Sequence, residues 1–390
     1  MNSEQDCERG CEDRHKVSQT LSLERARALR LERVRQSMEQ EALDVVLVCS
    51  PNNIFYLSGF VGTEGVVAVT REEVCLLVDF RYMEQAQLQA PGWERVQMKH
   101  FSGQCVVDCL RERGWLQRSQ DQPQRVGLEE DFLSWDRYNH YIELLGGCEV
   151  VGFSQILARQ RQIKDSVEIA LMQQAAALTD QGFSYILREI RPGRTERDIA
   201  LALEFALRGW GADGGSFDFI VASGPRSSMP HAATSSRVLA YGDLVILDFG
   251  VYYAGYCSDM TRTVCLGEPT ARQREVYDVV RSAQETGLRV VRAGKTGREV
   301  DGCVRSVIEG AGYGSCFGHG LGHGVGISVH EGPNLNMRDE TCLAPGMIVT
   351  VEPGIYIPDW GGVRIEDMVL VTENEAKVLT QSSKEFIIIE

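Results

Sequence analysis

The order of apolar and polar positions divides the chain into three stretches. The opening residues, MNSEQDCERGCEDRHKVSQT, are polar throughout and predict a disordered tail over 1–22. From Leu23 to Gln40 apolar residues recur at helical spacing among many charges. Asp44–Ser50 (DVVLVCS) is the unbroken apolar run of a buried strand. Gly65–Thr70, Val74–Phe80, Val96–His100, Val126–Glu129 and Glu149–Phe153 are further short runs, with helix candidates such as Ser134–Leu145 between them. Strands alternating with helices predict an α/β domain over 23–153. A helical pattern then runs from near Ser154 to about Ile190 and opens a second domain, 155–390.

The second domain repeats itself. Arg191-Pro-Gly-Arg-Thr-Glu-Arg-Asp-Ile199 matches Arg292-Ala-Gly-Lys-Thr-Gly-Arg-Glu-Val300, and in each copy a threonine, Thr195 or Thr296, stands where a helix N-cap is expected. Further on, Gly242-Asp-Leu-Val-Ile-Leu-Asp248 aligns with Gly346-Met-Ile-Val-Thr-Val-Glu352. Each apolar strand ends in an acid, and each returning strand carries another, Asp259 or Glu366. Two helix–helix–hairpin halves predict a pseudo-two-fold domain with its four acids near the axis.

The stretch VILDFGVYYAGYCSDMTRTV sharpens the point. With the turn centred on Tyr253–Ala254, Asp248 falls directly opposite Asp259 among apolar neighbours. Opposed like charges destabilise a sheet, and a dry setting disfavours their ionised forms. Arg262 and Arg364 are the nearest bases, and two arginines do not neutralise four acids. Divalent cations do, and oxygen ligands joined by a histidine suit Mn, Co, Fe or Zn, with room for two ions. The nitrogen ligand is sought in Gly318-His-Gly-Leu-Gly-His-Gly-Val-Gly-Ile-Ser-Val-His-Glu-Gly-Pro333, which holds His319, His323 and His330. A phosphate-binding loop is the rival reading of these glycines. No G-x-G-x-x-G register fits, and no G-K-[ST] follows. An ordinary salt-bridge network would need bases matched to the acids. His231 on its own could equally cap a loop.

Charge and cysteine content narrow the function classes. The net charge of −15 disfavours nucleic acid and anionic membrane as partners. No apolar run has the length of a membrane span, and the N-terminus lacks a signal-peptide core, so a cytoplasmic location is expected. The twelve cysteines are scattered. The closest pairs, Cys7/Cys11 and Cys105/Cys109, are read as reduced, like the rest, rather than as metal or disulfide pairs. His100 and His140 stand alone and are taken as surface or packing residues.

Taken together, Asp248 and Asp259, the His323 loop, Val351-Glu-Pro-Gly354 and Arg364-Ile-Glu-Asp367 resemble the pita-bread metallopeptidases, which include aminopeptidase P, prolidase and methionine aminopeptidase. The resemblance covers nearly all of 155–390. It extends to the first domain, where Asn53-Ile-Phe-Tyr-Leu-Ser-Gly-Phe60 and Asp79-Phe-Arg-Tyr82 are similar to the creatinase-like N-terminal domain. The fold it implies is an α/β N-terminal domain followed by an α+β pita-bread catalytic domain with pseudo-two-fold symmetry.

As metal ligands the resemblance implies Asp248, Asp259, His323, Glu352 and Glu366, with Asp259 and Glu366 bridging two divalent ions, Mn foremost and Co, Zn or Fe as alternatives. It makes Glu352 the proton acceptor as well, and sets His231 and His330 on the scissile carbonyl. His319 would line the proline pocket, Arg364 would orient its neighbours or the substrate, and Arg338 would meet a substrate carboxylate. The extra domain separates the chain from methionine aminopeptidases, which resemble only the catalytic half. The full ligand set separates it from creatinase and from non-catalytic binding modules. The expectation is an Xaa-Pro aminopeptidase acting on short peptides with proline in second position, with Xaa-Pro dipeptidase as the alternative. A homodimer is expected from the resemblance.

Overall fold

The structure is a computed structural model that describes residues 22–117 and 123–390. Apart from Ser22 the predicted tail lies outside the described residues, as do Cys7 and Cys11. The chain forms two compact units that divide between Gln160 and Arg161. Among the described residues no helix is long and apolar enough to cross a membrane.

The first unit holds a six-stranded sheet whose strands are Val45–Val48, Val66–Thr70, Val74–Asp79, Glu94–Met98, Arg125–Leu128 and Glu149–Gly152. In space their order is fourth, third, second, first, fifth, sixth. Each strand falls within a residue or two of an apolar run in the sequence. The two motifs that resemble the creatinase-like domain turn out to be caps. Glu129, fully buried, accepts hydrogen bonds from the Cys49 and Ser50 backbone N–H groups and the Asn53 amide. It thereby closes the N-terminus of helix Pro51–Ser58, where a negative charge is favoured. Asp79 accepts from the backbone N–H of Arg81 at 2.9 Å and caps the 3₁₀ turn Phe80–Tyr82. His100 and His140 are exposed.

The continuous helix expected over Ser154–Ile190 is instead two helices, Ser154–Gln162 and Ser166–Ile186. Ile163 pairs with Met347 as an isolated bridge, and Asp165 starts the second helix with a capping box to Glu168. A cap side chain that prefers the non-helical state outweighs helical periodicity here.

The second unit is built in two matching halves. Helices Ser166–Ile186 and Glu196–Gly209 lead to strands Leu244–Phe249 and Met260–Leu266; helices Ala271–Val290 and Gly297–Gly310 lead to Ile348–Val351 and Asp367–Val371. Thr195 and Thr296 both close capping boxes, with Asp198 and Glu299. Each threonine also forms an isolated bridge, Thr195 to Val238 and Thr296 to Cys342. Gly193 and Gly294, two residues before, take the positive φ of 89° and 81° that lets the chain turn into the helix. In each half an apolar helix face packs on its hairpin: Phe183, Leu203 and Leu207 with Leu247 and Val264 in one, Val276, Val280 and Val304 with Val349 and Val369 in the other.

One expected register is corrected. The first hairpin turns at Ala254–Gly255, not at Tyr253–Ala254, and both turn residues have positive φ, 49° and 83°. That is the twist a two-residue hairpin favours. Asp248 therefore pairs with Thr261 rather than with Asp259. Asp259 lies two positions along from Thr261, diagonal to Asp248 and on the same face of the sheet. In the second hairpin the ladders Val351↔Asp367 and Gly354↔Arg364 share one register, which sets Glu352 opposite Glu366. The halves match as backbone, but the second acid of each hairpin is offset by two residues.

Candidate metal centre

The hairpins deliver Asp248, Asp259, Glu352 and Glu366 to one cavity of about 530 Å³, which His323, His319, His330, His231 and Arg364 also line. Asp248, Asp259, Glu366 and Arg364 are buried, and Glu352 is half-buried. Asp259, His323 and Glu366 each offer a donor atom within 4.8 Å of the others. His323 Nε2 lies 3.6 Å from Asp259 Oδ2 and 3.3 Å from Glu352 Oε1.

The local sequence explains how His323 gets there. Gly322 and Gly324 flank it, and a Cβ on either would lie 2.1 Å from Thr350 O or 2.2 Å from Gly332 O. Only glycine lets the strand Gly322–Gly324 press against its neighbours this closely. The ring is oriented by the Gly324 carbonyl, 3.0 Å from Nδ1. A carbonyl only accepts, so Nδ1 carries the proton and Nε2 points its lone pair into the carboxylates. Burial lowers the pKa of His323, which keeps the ring neutral. A neutral imidazole whose far nitrogen donates to a carbonyl is the state in which histidine binds metals.

Among the carboxylates compensation is scarce. Arg364 Nη2 donates to Asp248 Oδ2 at 2.5 Å, but Asp248 Oδ1 is buried with no hydrogen-bond partner. Arg262, the other arginine close to these acids in sequence, is buried as well but pairs with Asp367 at 2.7 Å. Burial raises the pKa of Asp259, reinforced by Glu366, Asp248 and Glu352. Burial raises Glu366 too, then Glu352 and Asp248. Burial also pushes Glu352 up to about 7, with Asp248 adding to it. Thr261 Oγ1 donates to Glu366 Oε2 at 2.7 Å and Thr350 Oγ1 to Glu352 Oε1 at 3.1 Å, which fixes the rotamers without neutralising the charge. Four acids, one engaged base, an orphaned carboxylate oxygen and a lone imidazole nitrogen form a hard, oxygen-rich donor set. It fits divalent cations, which would supply the positive charge that the one engaged arginine does not.

Around this set lie the remaining predicted residues. His231 and His330 are exposed at the cavity mouth; the His330 ring stands edge-on to His323 with 4.4 Å between centroids. His319 Nδ1 donates to Gly320 O at 2.7 Å, so its Nε2 accepts from the Tyr356 hydroxyl at 3.1 Å. Burial, then Arg364, lowers the His319 pKa to about 4. With both nitrogens engaged, its ring offers the cavity a neutral carbon edge. Arg364 is held by Thr261 Oγ1, Tyr356 Oη and Pro230 O besides Asp248. Arg338 is not brought to the cavity; it is exposed on a turn closed by the Asn336 side chain. The turn does place Asn336 in the cavity lining. Tyr356, Asn336 and the apolar wall of Phe217 and Ile220 escaped sequence reasoning. The Gly354-Ile-Tyr356 strand opposite Arg364 was the available signal for Tyr356.

Residues 30–163 match the Creatinase/Prolidase N-terminal domain and 170–373 match Metallopeptidase family M24. An Xaa-Pro dipeptidase from Bacillus anthracis superposes with a TM-score of 0.87 at 42% identity, over 93% of this chain and 99% of that one. An Xaa-Pro dipeptidase of Pyrococcus furiosus is 36% identical over 92% of this chain and 99% of its own length. An X-Pro aminopeptidase from Thermotoga maritima superposes with a TM-score of 0.82 at 33% identity, covering 89% of this chain and 98% of that one.

Proposed function

The chain belongs to metallopeptidase family M24, with a Creatinase/Prolidase N-terminal domain, and on that premise we propose that it is an Xaa-Pro dipeptidase. It is thus a metal-dependent hydrolase. The sequence placed aminopeptidase first, but the relatives named as dipeptidases favour the alternative. The observation that carries the hydrolytic reading is the donor set itself: Asp248, Asp259, His323, Glu352 and Glu366 in one cavity with a single engaged arginine.

Those five residues would hold two divalent cations, Mn foremost, supplying Lewis acidity and ionised water near neutral pH. Glu352, steadied by Thr350, is the group that accepts a proton and returns it to the leaving nitrogen. His231 and His330 at the mouth donate hydrogen bonds to the scissile carbonyl oxygen as charge builds on it. The neutral edge of His319 walls the pocket for the proline ring, whose amide lacks an N–H and must be recognised by shape. Arg338, expected from the resemblance to meet the free carboxylate of a dipeptide, lies outside the cavity lining and takes no part in this reading. The protein acts in this reading as a cytoplasmic homodimer.

The test is hydrolysis of Ala-Pro and Ala-Pro-Ala side by side, with Mn and with chelator. The proposal expects metal-dependent cleavage of Ala-Pro and little of the tripeptide. Cleavage of the tripeptide alone would restore the aminopeptidase reading.

A further inference from the structure

Glu196 is fully buried at the first position of helix Glu196–Gly209, yet it is no part of the donor set. Its two oxygens serve two separate stretches of chain. Oε1 accepts from the Ser223 backbone N–H and the Ser223 hydroxyl, both at 2.8 Å. Oε2 accepts from the Ser235 backbone N–H at 3.0 Å and the Ser235 hydroxyl at 2.6 Å. Arg226 Nε closes the set at 3.3 and 3.1 Å from the two oxygens. Ser223 ends the strand Ile220–Ser223, and Ser235 marks the chain's return. The segment 224–234 between them is an Ω-loop whose ends are tied by this carboxylate and, beside it, by Thr234 Oγ1, which accepts from the Val221 N–H and donates to Phe219 O.

That loop carries His231. Its tip is exposed at Met229 and His231, while Ser227 and Ala232 are buried and the Gly362 N–H donates to Ser227 Oγ at 2.8 Å. Near the tip Pro230 O accepts from Arg364 Nη1 at 3.2 Å, and Arg226 Nη2 donates to Ala233 O at 2.5 Å. Arg226 is itself aimed by Glu196, so the inner part of the loop also depends on that carboxylate.

We propose that Glu196 is the positioning residue for His231, stapling both stems of the His231 loop so that the imidazole is presented to the cavity in one place. This rests on the reading of His231 given above. Every donor facing Glu196 is an N–H or O–H, so the site accepts only a group with two acceptor oxygens. Glutamine keeps the shape but turns one acceptor into a donor pointed at donors. One stem of the loop then loses its bonds to residue 196, and His231 loses orientation, where a displacement of about 1 Å lowers a rate by roughly 10²-fold.

The experiment is a double-mutant cycle on the metal-loaded protein with Ala-Pro: wild type, Glu196→Gln, His231→Ala and the double variant. Metal content and Tm are measured for each. The expected result is a kcat lower by roughly 10–100-fold in Glu196→Gln with metal content unchanged, and under about 2-fold further loss when the same change is made on His231→Ala. A merely structural Glu196 would lower Tm and multiply its effect on both backgrounds, which would overturn the proposal and leave His231 its role. A His231→Ala protein with wild-type kcat would overturn both. Should Glu196→Gln fail to fold, Ser235→Ala removes the hydroxyl bond to Glu196 and the one that Ser235 Oγ accepts from the Arg237 N–H, and leaves the Ser235 backbone bond to Glu196 in place. It is expected to give a smaller loss that also vanishes on the His231→Ala background, and a loss that persists there counts against the proposal.

Discussion

Glu366 and Asp367 are neighbours in sequence, both buried, and their carboxyls are shifted in opposite directions. Side chains alternate across a strand, so the two face opposite sides of the sheet. Asp367 receives Arg262 at 2.7 Å, Lys384 at 2.6 Å, the Gln284 amide at 2.8 Å and the Thr380 hydroxyl at 2.9 Å. Although burial pushes it up, Arg262 and Lys384 bring its pKa below the ordinary value. Glu366 has one hydroxyl donor at its carboxylate and three other acids in the same cavity, and its pKa is raised. The chain supplies full internal compensation for one acid and withholds it from the next.

The two acids should therefore respond oppositely to neutralisation in metal-free protein. Asp367→Asn leaves buried Arg262 without its partner and should cost about 3–5 kcal/mol in denaturant unfolding. Glu366→Gln, which relieves repulsion, should leave stability unchanged or raise it. Equal losses from both changes would contradict the distinction.

Glu352 predicts a pH dependence. Its folded-state pKa of about 7 lies above its ordinary 4.5, so the folded protein holds a proton that the unfolded chain has lost. The Glu352 contribution to the stability of the metal-free protein should fall as pH rises from about 4.5 to about 7, and level off above that. His319, lowered to about 4, contributes with the opposite sign below its ordinary 6.5. Comparison with Glu352→Gln isolates the glutamate. In chelator, the Tm of that variant should gain on wild type steadily across this window, whereas a constant difference would contradict the shift.

His330→Ala should keep the metals, because the ring touches His323 without belonging to the donor set. It should lower kcat by roughly 10²–10⁴-fold, the usual cost of losing an acid–base or oxyanion group. Wild-type kcat with full metal content would remove His330 from the chemistry.

What the sequence makes legible follows from the range of the forces involved. The caps at Thr195 and Thr296 are local chemistry, and both appear where the pattern places them. The acids are legible because a charge ending an apolar strand needs a reason. The turn is misplaced by one residue because Ala254 takes a positive φ that alanine rarely adopts, a conformation imposed by strand twist rather than local preference. Asp259 still reaches the right face because the shifted register moves it two positions along the partner strand. Tyr356, Thr261 and Glu196 are illegible for a different reason. Each acts on residues remote in sequence, such as Glu196 on Ser223 and Ser235, and only the fold brings those groups together.

Divalent ions among these carboxylates would account for their burial together, and Mn bound per chain, in wild type and in Asp259→Ala, measures this directly. Two saturable ions in wild type, with both lost or greatly weakened in the variant and hydrolysis abolished, is the predicted result. A chain that binds no Mn, or an Asp259→Ala protein that hydrolyses Ala-Pro after metal stripping, would contradict it.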